Sequence, residues 1–283
     1  MQNVGQTFRD ILASGNYESE IKVCIEGLDH NMVEYRENSL LDVSIARGLF
    51  NGDNLSIGAA CVASCQVVLS VDGMTGKQLS QTIPKGARIE IYERINGETP
   101  NYDTTSIIGT AVAGVAVVSQ AAVWNDTNSE WLLQGVFFVD ERDDTSWTTR
   151  LSLSGIDRMA LADDYYPGTS DGWPAQGKID TEIVQTIAST IGVSVDNIGA
   201  LAAGYMIPFP GTYTMREVLS YIGAMYCANW IITADGKLRI MKLNELPSET
   251  NDLINQINES ITITSADRHI YVRSGGIWIE PAG

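Results

Sequence analysis

The sequence predicts a mainly β protein with a helical insertion. Runs that alternate apolar and polar residues recur between turn residues over roughly the first 156 positions. Apolar residues at helical spacing take over between 157 and 227. Asp235-Gly236 then lies between two β-rich runs, which predicts a hairpin because the turn needs a positive φ. The chain has 283 residues, 44% of them hydrophobic and 19% charged, enough for two or three domains with real cores.

Residues 1–156 are expected to form the first domain, a β-barrel or β-sandwich. A short helix or arm is predicted at 7–12, before the first strand. Six or more strands separated by turn residues predict a barrel or sandwich. The predicted strands cover residues 20–26, 38–50, 61–72, 88–95, 131–140 and 148–155.

A long apolar insertion is predicted at 97–130 within that domain. Residues 104–124 carry no charge, but they are built from Ala, Gly, Val, Ser and Thr and have no Lys or Arg anchors nearby, so a membrane span is not expected. The stretch instead predicts one or two buried strands, or an arm buried against another subunit, because an exposed apolar patch of this size would aggregate. The predicted interface residues are Ile107, Ile108, Val112, Val115, Val117, Val118 and Trp124.

Residues 157–227 are expected to form a helical insertion domain, followed by a second, small β domain at 228–283. A short helix is predicted at 157–163, and a second helix from Asp180, as its cap, to Ile191. A third is predicted at 215–226, begun by a threonine cap and burying a face of four apolar residues. Those residues are Val218, Leu219, Ile222 and Met225.

Composition argues against several classes of function. The formal net charge of −17 disfavours wrapping nucleic acid or binding an anionic membrane. The four cysteines are expected to be buried reduced thiols, and the two histidines surface residues. No phosphate loop, dinucleotide fingerprint or nucleophile elbow is present. We therefore expect no catalytic, cofactor-binding or metal-binding residues, and a protein that is not an enzyme.

One aromatic loop leaves an alternative open. Residues 163–174 combine acids with Tyr165, Tyr166 and Trp173, a combination that contacts carbohydrate in some proteins. The same rings can instead anchor the loop to its own domain, which is the commoner role of large aromatic residues.

Several segments, taken in order, resemble the baseplate-hub or tail-tip proteins of tailed bacteriophages and prophages. They are residues 39–50 with 56–58, 83–87, 131–142, 151–159, 180–193, and the helix and hairpin at 212–243. The resemblance covers about residues 39–243.

The resemblance implies a tail-tube-like β-barrel domain with a helical insertion and a smaller second β domain. It implies a structural role in a homotrimeric ring that joins the tail tube and distal tail to the tip or spike, with DNA only passing through the lumen. The expected location is the virion tail tip, assembled in the host bacterial cytoplasm. Two alternatives stay open: a hexameric distal-tail ring, and a carbohydrate-binding tail protein that uses the 163–174 loop.

Overall fold

The computed structural model describes residues 4–15, 17–49, 57–101, 123–143, 148–242, 268–273 and 276–281. The chain divides into a large unit, residues 2–243, and a C-terminal unit, residues 244–283. In the C-terminal unit, Arg268–Arg273 and Gly276–Pro281 pair as an antiparallel hairpin. These strands lie within the second, small β region expected at 228–283.

The large unit is dominated by one antiparallel sheet. Seven strands follow the spatial order β2-β1-β5-β7-β8-β4-β3, and β6 pairs with β5 outside that path. The six strands predicted for residues 20–155 are present, although the one predicted at 38–50 spans only seven residues, and the strands considered within 104–124 fall largely outside the described residues. The strands are β1 (Tyr17–Glu26), β2 (Met32–Arg36), β3 (Leu40–Ala46), β4 (Ser64–Ser70), β5 (Arg88–Asn101), β6 (Val123–Asn128), β7 (Leu132–Arg142) and β8 (Arg150–Ile156).

The sheet curls on itself, and its two outer strands do not pair in the described residues. A flat sheet of seven strands would place its outer strands roughly 29 Å apart, at about 4.8 Å per strand pair. Yet β2 and β3 lie at opposite ends of the path and are joined by the 3₁₀ turn Glu37–Ser39, so Arg36 and Leu40 can be at most about 15 Å apart. No pairing between β2 and β3 occurs in the described residues, so the closed barrel expected from the sequence is not observed.

Two helices border this sheet. Helix α1 (Gln6–Ser14) ends at Gly15, whose φ of 71° closes the last turn, and it buries Ile11 completely. Helix α2 (Gly76–Ser80), which the sequence did not predict, begins at a capping box in which Thr75 and Gln78 satisfy each other's backbone N–H groups. The inner face of the sheet and α2 share one core, formed by Val23, Ile25, Val67, Leu69, Leu79, Ile83, Ile89, Ile91, Phe137, Leu151 and Leu153 among others.

A second core lies in the following part of the large unit and centres on Trp230. Its indole N–H donates to the carbonyl of Leu219 at 2.7 Å, so the buried ring leaves no polar atom unpaired. The elements here are the 3₁₀ helix Arg158–Asp163, β9 (Lys178–Ile179), α3 (Asp180–Thr190), the 3₁₀ helix Ile198–Ala200, β10 (Met206–Ile207), α4 (Met215–Met225), β11 (Ala228–Ile232) and β12 (Leu238–Lys242). Helices and hairpin thus pack into one core. The domain boundaries expected at 156/157 and 227/228 stay predictions.

Local sequence signals set the ends of these elements. Thr214 and Glu217 form the capping box that begins α4, and Gly236, with a φ of 77°, lies in the turn between β11 and β12, as predicted. The prediction that Met225 is buried is wrong: it is 41% exposed at the end of the helix. Asp180 is the first residue of α3, after the cap position at Ile179, and not the cap itself.

Buried Asp180 has a different role from the one expected. Its carboxylate accepts from the backbone N–H of Thr181 at 2.7 Å, from that of Tyr205 at 3.1 Å and from the Tyr226 hydroxyl at 2.5 Å. Burial, together with this hydrogen bond, raises the pKa of Tyr226 to about 12. The carboxylate therefore ties α3 to the segment before β10 and to the end of α4. Across the described residues, no helix has the length and apolar character needed to cross a membrane.

Candidate functional site

A two-stranded ribbon projects from the sheet. On one side, β5 pairs with β1 from Ile89 to Gly97; on the other, it pairs first with β7 and then, from Asn96 to Asn101, with β6. Beyond Gly97 only β6 accompanies β5 in the described chain. The last four residues of β5 therefore extend about 13 Å past the sheet with a single partner strand.

The base of this ribbon is fixed by Ser129. Its backbone N–H donates to the carbonyl of Ile95 at 2.9 Å, and its hydroxyl accepts from the Ile95 N–H at 2.9 Å. Both residues are buried. The ribbon thus leaves the sheet from a rigid hydrogen-bonded corner, and not from a loose loop.

Most of the predicted interface residues lie in the sequence between the two strands of this ribbon. Ile107, Ile108, Val112, Val115, Val117 and Val118 lie outside the described residues. Trp124 is described in its backbone only: it lies in β6 opposite Pro100. The sequence placed an insertion at 97–130, and the structure shows that its described ends are the two strands of the ribbon. The assignment of these residues to a subunit interface stays a prediction.

The outer face of the sheet near β1 and β2 carries a charge cluster around Trp131. Lys22, Arg36 and Arg94 each lie 4.6 to 4.9 Å from a Trp131 ring centroid. Glu34 pairs with Lys22 at 3.3 Å and with Arg36 at 2.6 Å, and the hydrogen bond from Arg36 lowers the pKa of Glu34. These cations are therefore paired with nearby acids and do not form a free basic surface of the kind that binds phosphates.

A buried carboxylate joins the sheet to the second core. Asp157 is 3% exposed, and it accepts from the N–H of Ala63 at 2.9 Å and from the N–H of Met159 at 3.0 Å. Burial raises the pKa of Asp157 to about 6, although the two N–H donors and the charges of Arg47 and Arg216 oppose that rise. A cavity of about 230 Å³ lies beside it, lined mainly by apolar side chains.

The aromatic loop divides into anchors and one exposed ring. Tyr166 is 5% exposed, and the half-buried Trp173 ring lies 6.0 Å from Tyr166 and 5.1 Å from Phe209. These two rings hold the loop to the core. Tyr165 is 71% exposed. The prediction that these residues contact a glycan stays untested.

Two further exposed rings lie near Tyr165, and the sequence analysis did not single them out. Tyr213 and Tyr221 are 48% and 56% exposed, and their ring centroids are 5.4 Å apart. Tyr165 pairs in an isolated bridge with Thr214, the residue after Tyr213. The helix that begins after Thr214 was predictable from the sequence. That Tyr213 and Tyr221 lie near Tyr165 was not, because it depends on the long-range bridge between Tyr165 and Thr214.

The reactive residues are scattered. His30 lies in a turn and bonds Glu26 at 2.7 Å, while the side chain of His269 lies outside the described residues. No group of three or more potential metal ligands occurs in the part of the chain that the structure describes. Cys61 and Cys65 are buried as expected and Cys24 is half-buried, but Cys227 is exposed, so the expectation of four buried thiols is wrong for that residue.

Comparison with known proteins finds similarity in structure but not in sequence. No family model and no curated protein sequence matches the chain. Its structure is similar to the 43 kDa tail protein of prophage MuSo2 from Shewanella oneidensis, with a TM-score of 0.48 and 13% identity, over 82% of this chain and 55% of that one. It is also similar to the tail protein from Neisseria meningitidis MC58, with a TM-score of 0.43 and 12% identity, over 94% of this chain and 66% of that one. The chain spans less than two thirds of the length of each.

Proposed function

We propose that this protein is a structural, non-enzymatic component of a phage or phage-like tail. In this proposal it forms a ring at the tail tip or baseplate hub that joins the tail tube to the tip or spike. The proposal starts from the sequence resemblance, whose ordered segments fall on β3, β7, β8, α3 and α4 with its hairpin, all within the one large unit. A trimer is the favoured ring, with a hexamer as the alternative.

The observation that carries the assembly role is the projecting ribbon of β5 and β6. A strand with a single partner leaves one row of backbone hydrogen-bonding groups unpaired, and the sequence between the two ribbon strands is uncharged from 104 onward. Such a structure costs solvation and chain entropy unless something covers it. Contact with a neighbouring subunit would cover the ribbon and offset these costs.

The charge of the chain fits a channel wall. A net charge of −17 per copy repels the DNA backbone, so DNA can pass through a ring of such subunits without being held. The paired cations around Trp131 offer phosphates no free positive surface there. In the proposed particle, DNA is therefore cargo in transit and not a ligand.

Electron microscopy of intact particles tests this role directly. We would tag the chain, purify particles, and determine both the position and the copy number of the tagged density. Three copies at the tip support the hub, and six copies at the end of the tube support a distal-tail ring instead. Absence of the chain from purified tails would refute both.

A deletion of residues 104–124 tests the ribbon within the same system. We expect loss of assembled tails with little change in the fold of the purified chain, because the deleted residues lie beyond the hydrogen-bonded base at Ser129. Thermal unfolding of the purified variant is the control. Normal particles from the deletion strain would remove the assembly argument.

A carbohydrate-binding role is the second candidate, favoured by the exposed rings of Tyr165, Tyr213 and Tyr221. Stacking on sugar requires an open ring face, so Tyr165→Ala should abolish binding to host polysaccharide. The same change at the anchored Trp173 acts mainly on loop stability. Polysaccharide from the host that gives no signal with the unmodified protein would exclude this candidate.

A further inference from the structure

The edge of the sheet at β2 is open. The backbone N–H of Arg36 donates to the hydroxyl of Ser39 at 3.0 Å, and that hydroxyl donates to the Arg36 carbonyl at 2.8 Å, so both backbone groups of Arg36 point away from β1. Along an antiparallel strand, the backbone N–H and C=O groups of every second residue point to the same side. The backbone groups of Glu34 and Met32 therefore also point away from β1. Both residues are exposed, and no described strand lies beside them.

An apolar groove runs next to this edge. Val33 and Tyr35 face the inner side of the sheet, opposite Ile25 and Val23 on β1, yet Val33 is 45% exposed. A cavity of about 280 Å³ beside them is lined chiefly by Ile25, Leu28, Val33, Tyr35 and Ile83. An extended chain laid along β2 would therefore gain backbone hydrogen bonds at the edge and bury alternate side chains in the groove.

The chemistry of the edge selects an uncharged partner. Edge strands are often protected by Lys, Pro or a bulge, and β2 has none of these; its protection is limited to its short length and the charges of Glu34 and Arg36. Its two charged residues are already paired: Glu34 pairs with Arg36 and with Lys22. A charged incoming strand would therefore have no unpaired opposite charge on β2 to bind. In addition, two copies that each carry a net charge of −17 repel each other, so an uncharged contact is favoured.

We infer that the β2 edge and its groove bind the uncharged 104–122 segment of a second copy of this chain. The inference rests on the proposed ring function and names the surface that receives the ribbon tip. Apolar β-branched residues at 107, 108, 112, 115, 117 and 118 supply side chains for the groove, and the segment brings no charge to the interface.

Chain length excludes the copy's own segment as the occupant. The groove lies level with Ile89, which pairs with Ile25, and β5 continues from there to Asn101, about 40 Å along the strand. The 21 residues from 102 to 122 must leave and return to the paired ends Asn101 and Val123, so even a fully extended segment brings only its midpoint to about 40 Å from those ends. A docked strand needs several residues in the groove, and only a second copy places them there.

Two complementary variants test this contact. Glu34→Pro removes the outward N–H, which β1 does not use, so the edge is blocked while the chain's own sheet is kept. Replacing residues 102–122 by Asn-Gly closes the ribbon as a short hairpin and removes the donor segment while keeping the groove. Glu34→Thr keeps the outward N–H and is the matched control for the loss of the carboxylate. Circular dichroism and melting temperature establish that each variant is folded.

Light scattering then gives masses for each protein alone and for a mixture. We expect the unmodified chain and Glu34→Thr to associate, and each of the two blocking variants alone to run as a monomer, with association at least about tenfold weaker. Mixed together, the blocking variants should form a 1:1 complex, because one supplies an intact segment and the other an intact edge.

Three results would overturn the inference: self-association of Glu34→Pro equal to that of the unmodified chain, a mixture that stays monomeric, or an unmodified chain that is monomeric throughout. Should Glu34→Pro fail to fold, Met32→Pro blocks the neighbouring outward N–H and serves in its place. The tail role is judged separately, by the presence of the chain in purified particles. If the chain is present in tails and the Glu34→Pro variant still assembles normally, this contact is refuted. The proposed tail role is then unaffected.

Discussion

The ionisation of Asp157 should make the stability of this protein depend on pH in an unusual direction. The folded-state pKa of Asp157 is raised to about 6 from an ordinary value of 3.8. Between those values the folded state holds a proton that the unfolded state has released, so the stability contributed by Asp157 is complete below pH 4 and is lost as the pH rises through 6. About two pKa units correspond to roughly 3 kcal/mol.

Asp157→Asn isolates this contribution, since the amide has the same shape and does not titrate. One of its two polar atoms still accepts a hydrogen bond, so one of the Ala63 and Met159 N–H groups loses its partner, at a cost of about 1–3 kcal/mol. That cost is constant with pH. Relative to the unmodified chain, the variant should therefore become more stable by about 3 kcal/mol between pH 4 and pH 7.

Urea unfolding of both proteins at several pH values measures this difference. All other titratable groups are the same in the two proteins, so their effects cancel when one free energy of unfolding is subtracted from the other. Asp163→Asn is the control: Asp163 is an exposed carboxylate paired with Arg216 at 2.7 Å, and its removal should change stability by less than about 1 kcal/mol. A difference between Asp157→Asn and the unmodified chain that stays flat from pH 4 to pH 7 would refute the account of Asp157 as a carboxylate held against its ionisation by burial.

Three further substitutions test the packing. Gly236→Val should lower the free energy of unfolding by about 1 kcal/mol or more, because a β-branched residue resists the φ of 77° in this turn; an unchanged melting temperature would mean that the turn tolerates it. Gly58→Ala should cost more than Gly73→Ala, since both glycines have positive φ but only Gly58 has backbone of α4 within 2.5 Å of the added carbon. Equal melting temperatures for the two would contradict that contact. Trp230→Phe should cost about 2–4 kcal/mol by opening a cavity and removing the hydrogen bond from the indole N–H to the Leu219 carbonyl, as chemical denaturation would show.

Much of the local structure was predictable because the signals are local. Alternation of Ile21, Val23 and Ile25 gave β1, and the threonine before α4 gave its cap. The missed elements are short: β2 has five residues and α2 has five, too few for a periodic pattern to separate them from a loop.

The burial of particular side chains was harder to predict from the sequence. Asp157 reads as a helix cap in the sequence, and it is one, but its second partner, Ala63, is 94 positions away. Trp131 gives no local sign of the three cations around it, which come from β1, β2 and β5. Likewise, Tyr165 and Tyr166 are neighbours in the chain, and only the core decides that one is exposed and the other enclosed.

The sequence by itself determined the β-rich class, the helical segment that follows, the capping and turn residues, and the uncharged stretch, because each depends on periodicity or on the conformational preference of a single residue. Tertiary structure alone decided that the sheet curls, that β2 has no second partner strand among the described residues, and that β5 and β6 extend past the sheet as a ribbon. Those features depend on which strands pair across the chain. A strand's own pattern identifies its two faces but not its neighbours, so the pairing is fixed only when the whole core is assembled.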